Sequence, residues 1–314
     1  MNITVLMSVY NDAGFLRNSI KSILNQTFSE FEFLIIDDGS TDNTEEIISG
    51  FNDSRIIYKK IDHTGLAGAL NHGISISGGD WIARIDADDL STPDRLQKQV
   101  TALTINKDVN VISGWSVYFK DQGKILFLLK TPEEDNDIKK FLNLHNPVNH
   151  SSVMFNKKVI KVNGGYNENF KCYEDFELWF RLRNKLKFKI IPEFYTYTRL
   201  HPLSMSTDAK KNKIYKMLFD NALLNSNNAE TKESKEYWDE ILFRIEYFYG
   251  NKDRSRKYFR GKYTGKKALE FLNTFLPERL FNKNLDLRLR YRLESRSEDL
   301  KFYEAELRNL LRQN

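Results

Sequence analysis

Residues 86–89 read Asp86-Ala87-Asp88-Asp89 and directly follow the apolar run Trp81-Ile82-Ala83-Arg84-Ile85. Carboxylates that close repel one another unless a cation neutralises them. A hard divalent ion with oxygen ligands is the expected neutraliser, and Mg2+ commonly shares such a site with substrate phosphates. The cluster therefore points to metal-bridged diphosphate chemistry at the end of a strand. Alone, an Asp-x-Asp is more often an acidic polar loop, so the rest of the chain decides.

Three further constellations carry possible chemistry. In Asp37-Asp38-Gly39-Ser40-Thr41-Asp42, a carboxylate at a strand end can accept from a base N–H or a ribose hydroxyl, and Gly39 permits a tight turn. The plainer alternative is a strand–turn–helix junction capped by Thr41 or Asp42. Tyr10 could stack on a base or be an ordinary half-buried aromatic. In Tyr173-Glu174-Asp175-Phe176-Glu177, an Asp at a helix start stays ionised, as a general base must; simple helix-dipole charge explains it equally well. Arg199-Leu200-His201-Pro202 places a His where it could bind a metal or phosphate, or lie in a surface loop.

The elements that must position these groups are legible from periodicity. Residues 3–9 form a buried apolar run, and Phe15, Leu16, Ile20, Ile23 and Leu24 recur at helical spacing. Strands are expected at 32–36, 55–59 and 81–85, with helices through Ile47-Ile48 and from Leu66 to Ile76. Strands alternating with helices imply a parallel sheet with helices on both faces. Ligands bind such sheets beyond the carboxyl ends of the strands, so the loops after Val9, Ile36 and Ile85 should converge. From residue 111 the pattern changes to β-structure at 111–119 and 124–129. A helix over 133–144, a short strand at 152–155 and a helix from Glu174 follow. Beyond about residue 205 helices dominate, ending in a short heptad of Leu293, Leu300 and Leu307 with Tyr303 and Leu310.

Composition narrows the class. The chain has 314 residues, 40% of them hydrophobic, and a single cysteine, Cys172. One cysteine excludes an internal disulfide framework and suits a reducing compartment. No stretch approaches the roughly 20 apolar residues of a membrane span. The N-terminal run reads as a strand and not as a signal peptide, so the expected location is the cytoplasm. Residues 251–314 hold 17 Lys and Arg against 9 Asp and Glu, whereas the first 250 hold 31 against 34. That asymmetry suggests an anionic partner for the tail. Arg254, Arg256, Lys257, Arg260, Lys262, Lys266 and Lys267, interleaved with Tyr258, Phe259 and Tyr263, suit the inner face of a membrane. A solvated extension or a homodimer contact are the alternatives. No reading motif for nucleic acid accompanies the charge.

Taken together and in order, Ser8-Val9-Tyr10-Asn11, Asp37-Asp38-Gly39-Ser40, Asp86-Ala87-Asp88-Asp89, Asn149-His150-Ser151-Ser152, Gly164-Gly165-Tyr166 and Glu174-Asp175 resemble the family 2 glycosyltransferases. The intervening 65–71 and Pro93-Asp94-Arg95-Leu96 resemble them too. The likeness runs from about residue 2 to 206. It implies an α/β GT-A fold, with a nucleotide-sugar half at 1–110 and an acceptor half at 111–206. Residues 207–314 would then be a basic helical extension. By the same resemblance Ser8, Tyr10, Asp38, Arg84 and Asp86 would hold the nucleotide sugar, usually a uridine one. Asp88, with His201, would ligate Mn2+ or Mg2+. Asp175 would be the base, and Glu174 and His150 would lie on the acceptor side. The implied reaction is a single inverting displacement onto a glycan or lipid-linked saccharide in bacterial surface-polysaccharide synthesis.

Other classes fit less well. A sugar nucleotidyltransferase needs a Gly-rich phosphate loop, which residues 5–20 lack. A dinucleotide oxidoreductase needs G-x-G-x-x-G after its first strand, which is missing. A binding protein on a decayed transferase frame would not need the full acidic set that this chain retains.

Overall fold

The computed structural model describes residues 1–120, 123–201, 212–248, 250–259 and 297–312. Two compact units emerge: Met1–Lys139 with Asn146–Ser204 and Glu294–Asn314, and Lys140–His145 with Met205–Leu293.

The first unit is built on one mixed sheet. Its elements begin β1 (Ile3–Val9), α1 (Ala13–Leu24), β2 (Phe31–Asp37), α2 (Thr44–Ser49), β3 (Ile56–Lys60), α3 (Leu66–Ile76), β4 (Trp81–Asp86), β5 (Leu90–Ser91) and α4 (Arg95–Ile105). They continue with β6 (Val111–Lys120), β7 (Lys124–Leu129), α5 (Asp135–Leu142), β8 (Met154–Asn156), α6 (Lys157–Val162), α7 (Glu174–Leu182) and β9 (Phe188–Arg199). The strand order is β3-β2-β1-β4-β8-β6-β9-β5, with β7 paired to β6. Strands β1 to β4 run parallel, and β8 then joins β4 antiparallel.

All seven residues of β1 are buried, as a central parallel strand covered on both faces requires. Val5, Met7, Phe33, Ile35, Ala83 and Ile85 turn to one face, where Leu16, Ile20 and Ile23 of α1 and Leu96 and Leu103 of α4 meet them. Leu6 and Ile36 alternate to the other face, where α3 packs close enough that a Cβ on Gly73 would strike a Leu6 methyl at 2.4 Å. The register sets Val9 opposite Asp37 and Ser8 opposite Asp86. The three carboxyl ends therefore finish level, and the expected convergence of their loops is observed.

The sequence reading left β9 unassigned. Pro192 cannot donate to a ladder, so Gly114 pairs with Ile191 and Trp115 with Phe194, while Pro192 and Glu193 bulge out. Strand β9 matters because β5 pairs with it antiparallel, which carries Arg199 onto the acidic turn.

The expected division at residue 206 needs correction at its far end. The C-terminal helix Ser297–Arg312 belongs to the first unit, not to a separate extension. Leu307 and Leu310, with Tyr303 and Leu311 beside them, cover Val117, Phe119, Ile125, Leu128 and Tyr197. The Tyr197 hydroxyl donates to Glu306 at 2.7 Å. The heptad spacing thus reports an amphipathic helix lying on a sheet. Leu293 falls outside the described residues, as do the side chain of Leu300 and the tail residues Arg260, Lys262, Tyr263, Lys266 and Lys267.

In the second unit α8 (Asn212–Asn227) and α9 (Lys232–Phe248) form an antiparallel pair, tied by Ser226 to Asp239 at 2.8 Å and Tyr215 to Glu246 at 2.9 Å. Tyr258 and Phe259, expected to face lipid, pack instead with Phe243 and Tyr247. Arg254 faces buried Glu246 and Arg256 faces Asp253. No helix among the described residues is long and apolar enough to cross a membrane.

Leu307 is fully buried, so Leu307→Ala should destabilise the first unit by about 2–5 kcal/mol, the range for large-to-small core changes. Urea unfolding followed by tryptophan fluorescence reads this directly. An unchanged midpoint would mean that the helix does not cover the sheet.

Candidate active site

At the end of β1 the exposed Tyr10 ring stacks on His63, 4.1 Å between centroids and 27° between planes. Asp38 follows β2 and is 1% exposed. Its carboxylate accepts from the Thr64 and Gly65 backbone N–H groups at 2.7 and 2.9 Å and faces His63 Nδ1 at 2.9 Å. The Asp38 carboxylate, assigned to a nucleobase by resemblance, therefore organises the 63–65 loop here. Gly39 sits at φ +78°, as its tight turn requires. Asp42 accepts from the Thr44 N–H at 3.1 Å and so closes the start of α2. A cleft of about 980 Å³ opens beside this loop, lined by His63, Thr64, Asn71 and Glu168 among others. Ser8 is buried one residue before the strand end.

After β4, Asp86, Asp88 and Asp89 bring oxygens within 4.8 Å of one another. Each has a different environment. Asp86 forms a two-pronged pair with the fully buried Arg84 and accepts from Ser151 Oγ at 2.6 Å. Burial alone would raise the Asp86 carboxyl, but Arg84 outweighs it and holds it below the ordinary value. Asp89 is 2% exposed and accepts the Arg199 N–H at 2.7 Å; burial, then Asp88 and Asp86, push it well up. Asp88 is partly exposed and lies 3.1 Å from His201 Nε2. Asp12 joins them from the β1 side. Burial first, then Asp88, raises it to about 7, although His201 pulls the other way.

Two buried arginines brace the floor. Arg95 donates to the carbonyls of Ser151 at 2.8 Å, Arg84 at 2.8 Å and Val153 at 3.2 Å, and to Gln99 at 3.1 Å. Burial, then Arg84, lowers Arg95 to about 9, still charged at neutral pH. The brace fixes the 3-10 turn His150–Ser152 against β4.

Across that turn, His150, Glu174 and Asp175 form a second cluster. His150 Nε2 meets the Tyr166 hydroxyl at 2.9 Å, and its Nδ1 lies 3.6 Å from Glu174. Burial, then Arg84, holds this imidazole well below its usual range, hence neutral. Burial, then Asp175, raises Glu174 to about 8. Burial raises Asp175 to about 6, against the Phe176 N–H that donates to its Oδ1 at 2.7 Å. Asn146 donates to Asp175 Oδ2 at 2.7 Å. Tyr173, which begins α7, adopts φ +63°, a backbone region that bulky residues rarely enter outside functional sites.

Residues 4–163 match the Glycosyl transferase family 2 domain. The chain belongs to that family. A glycosyltransferase of Methanocaldococcus jannaschii, itself uncharacterized, is 33% identical over 222 residues, 68% of this chain and 76% of the relative. The O-antigen biosynthesis glycosyltransferase WbnJ of Escherichia coli is 32% identical over 215 residues, 66% of this chain and 83% of that one. Among solved structures, S. aureus TarS 1-349 in complex with UDP-GlcNAc superposes with a TM-score of 0.60 at 18% identity, covering 99% of this chain and 89% of that one. The GT-A fold expected of a family 2 glycosyltransferase is the one observed.

In this family 2 glycosyltransferase the residues named from the sequence lie at or near strand and helix ends around the convergent loops, except Arg84, which is buried within β4. Asp86, Asp88 and His201 meet on one side, and His150, Glu174 and Asp175 on the other. Sequence reasoning passed over Asp12, which sits in a polar turn, and Arg95 with Gln99. An Arg and a Gln four apart on an otherwise apolar helix face were the available signal. His63 carried none. The acidic side fits a divalent ion. Four carboxylates crowd together, and two of them, Asp12 and Asp89, are pushed up in pKa partly by their neighbours' charge, a penalty that a cation relieves.

The raised Glu174 carboxyl has a consequence for stability. A folded group at about 8 against an ordinary 4.5 keeps its proton where the unfolded chain has lost it. Its contribution is complete below the ordinary value and is lost as pH rises through about 8. Glu174→Gln should therefore gain stability relative to wild type between pH 5.5 and 8.5, measured by urea unfolding at both. Parallel profiles would contradict the raised value.

Proposed function

We propose that the chain is a metal-dependent, inverting glycosyltransferase. It moves a sugar from a nucleotide sugar, expected to be a UDP sugar, to a saccharide or lipid-linked saccharide acceptor in surface-polysaccharide synthesis. The observation that carries this reading is the paired site: Asp88 with His201 on one side, Asp175 on the other, and Ser151 with Asp86 between. The relatives' own names support the substrate class. TarS was solved with UDP-GlcNAc, a mannosyltransferase from Pyrobaculum calidifontis with GDP-Man and Mn2+ (TM-score 0.52, 14% identity), and WbnJ is an O-antigen enzyme.

The roles follow from position. Tyr10 and the 38–40 turn lie where the nucleoside half of the donor would sit. Asp88 and His201 would hold Mn2+ or Mg2+, which supplies charge to stabilise the departing diphosphate. Asp175 takes the acceptor hydroxyl proton as that oxygen bonds to the anomeric carbon, and the bond from that carbon to the diphosphate breaks on the opposite side. Asn146 and the Phe176 N–H orient the carboxylate for this step. Glu174, protonated at neutral pH, and neutral His150 keep the acceptor side from accumulating charge. The tail cations at 260–267 are the part of the chain through which inner-membrane attachment would act.

Two measurements test the reading. A thermal-shift screen with UDP, GDP and their sugars, with and without Mn2+, should show stabilisation by a nucleotide that needs both the ion and Asp88. A ligand at a hundredfold excess over its Kd contributes about 2.7 kcal/mol. Asp88→Ala is preferable to a change at Asp86, because unpairing buried Arg84 would itself cost about 3–5 kcal/mol. No shift with any nucleotide would sink the enzyme reading. Asp175→Asn should lower kcat by about 10²–10⁴, the usual contribution of a general base. The wild-type rate should rise with pH through about 6 as Asp175 loses its proton. A pH-independent rate from 5 to 8 would remove Asp175 from that role.

A further inference from the structure

Strands β6 and β7 form a two-sided hairpin. Val117 and Phe119 on β6 and Ile125 and Leu128 on β7 turn to one side, where Leu307 and Leu310 of the C-terminal helix cover them. Tyr118 alternates to the opposite side and pairs across the ladder with Phe127. The two rings are stacked, 4.5 Å between centroids and 22° between planes, and both are half-buried. The ladder shifts register between Tyr118 and Phe119, a bulge of the kind that re-aims a side chain.

That side of the hairpin faces the reaction centre. The Tyr118 hydroxyl lies near Asn149, the residue before the His150–Ser152 turn, and in the field of Asp89, Asp175 and Asp86. It therefore senses carboxylates from both the metal side and the base side. Asn149 is also within 3.5 Å of Thr196 and Thr198 on β9, and Thr198 is the β9 partner of Tyr118. The result is an aromatic surface edged by hydroxyls beside the proposed base. A pyranoside presents the complementary pattern: an apolar C–H face for a ring, and hydroxyls at its rim.

We propose that the Tyr118–Phe127 pair is the platform on which the acceptor pyranoside rests, with Tyr118 a positioning residue that sets its hydroxyl toward Asp175. This rests on the glycosyl-transfer reading above. Sugar-on-ring contact supplies affinity, and the pairing of Tyr118 with Thr198, itself 3.5 Å from Asn149, sets the platform beside the turn that carries His150 and Ser151.

The test uses the full chain with UDP and Mn2+ and three probes: the methyl β-pyranosides of glucose, galactose and N-acetylglucosamine. Saturation-transfer NMR reads glycoside binding, and calorimetry reads UDP affinity. At least one glycoside should bind wild type. Phe127→Ala should cut its saturation signal at least fivefold, and Tyr118→Phe, which keeps the ring stack, should weaken it at least threefold. UDP affinity should stay within twofold for both, a split that general misfolding does not produce. The proposal is overturned if a UDP-binding wild type takes up none of the three glycosides or if Phe127→Ala binds them as wild type does. A tenfold loss of UDP affinity in Tyr118→Phe would also overturn it, by placing the residue on the donor side. A wild type that binds neither UDP nor glycoside would fail the transferase reading itself.

Discussion

A guanidinium with no exposed surface must find its partners inside the protein, and Arg84 finds Asp86 two residues along the same strand. Residues i and i+2 on a strand share a face, so the pair is local to β4. Everything around it answers to that ion pair. Ser151 completes the Asp86 hydrogen bonds, Arg95 captures the carbonyls of Arg84, Ser151 and Val153, and the 3-10 turn is thereby pinned beside the strand end. A buried pair of this kind adds little net stability, but losing one partner leaves an uncompensated charge. Its role here is geometric. It sets a fixed neutral floor between two groups of titratable side chains.

The two sides of that floor are opposite in character. On the β4 side, carboxylates from Asp12, Asp86, Asp88 and Asp89 converge, and beyond the Arg84 that Asp86 already holds, the crowding of the other three favours a cation. On the α7 side, burial keeps His150 neutral and Glu174 protonated at neutral pH, so the single carboxylate ready to take a proton is Asp175. Asymmetry of this sort pushes the pKa values of like residue types apart.

Much of this was legible in the sequence, and the reasons differ by element. β1, α3 and β7 have the expected bounds because a strand covered on both faces reads as an unbroken apolar run, and periodic apolar patterns survive where one face is buried. The acidic cluster, Asp175 and His201 were legible because charged residues at element ends break those patterns. β9 was not, because Pro192-Glu193 interrupts it and a bulge, invisible to periodicity, absorbs the interruption. α4 was passed over because Arg95 and Gln99 occupy its buried face, where apolar residues are expected. Asp38 shows a different limit. Its type and place were foreseen, but its partners in the 63–65 loop belong to tertiary structure. The grouping of residues 207–314 failed for a similar reason: an amphipathic helix does not announce which surface it covers.

That last helix sets an order of assembly on the ribosome. The hairpin face of Val117, Phe119, Ile125 and Leu128 is made early, yet its cover, Leu307 and Leu310, is translated roughly 180 residues later. At about 5–20 residues per second, the nascent sheet carries an open apolar face for roughly 10–40 s. The first unit is completed only once Ser297–Arg312 has been made, so a ribosome that stalls or terminates before it releases a chain whose candidate site residues are present but whose sheet is still uncovered.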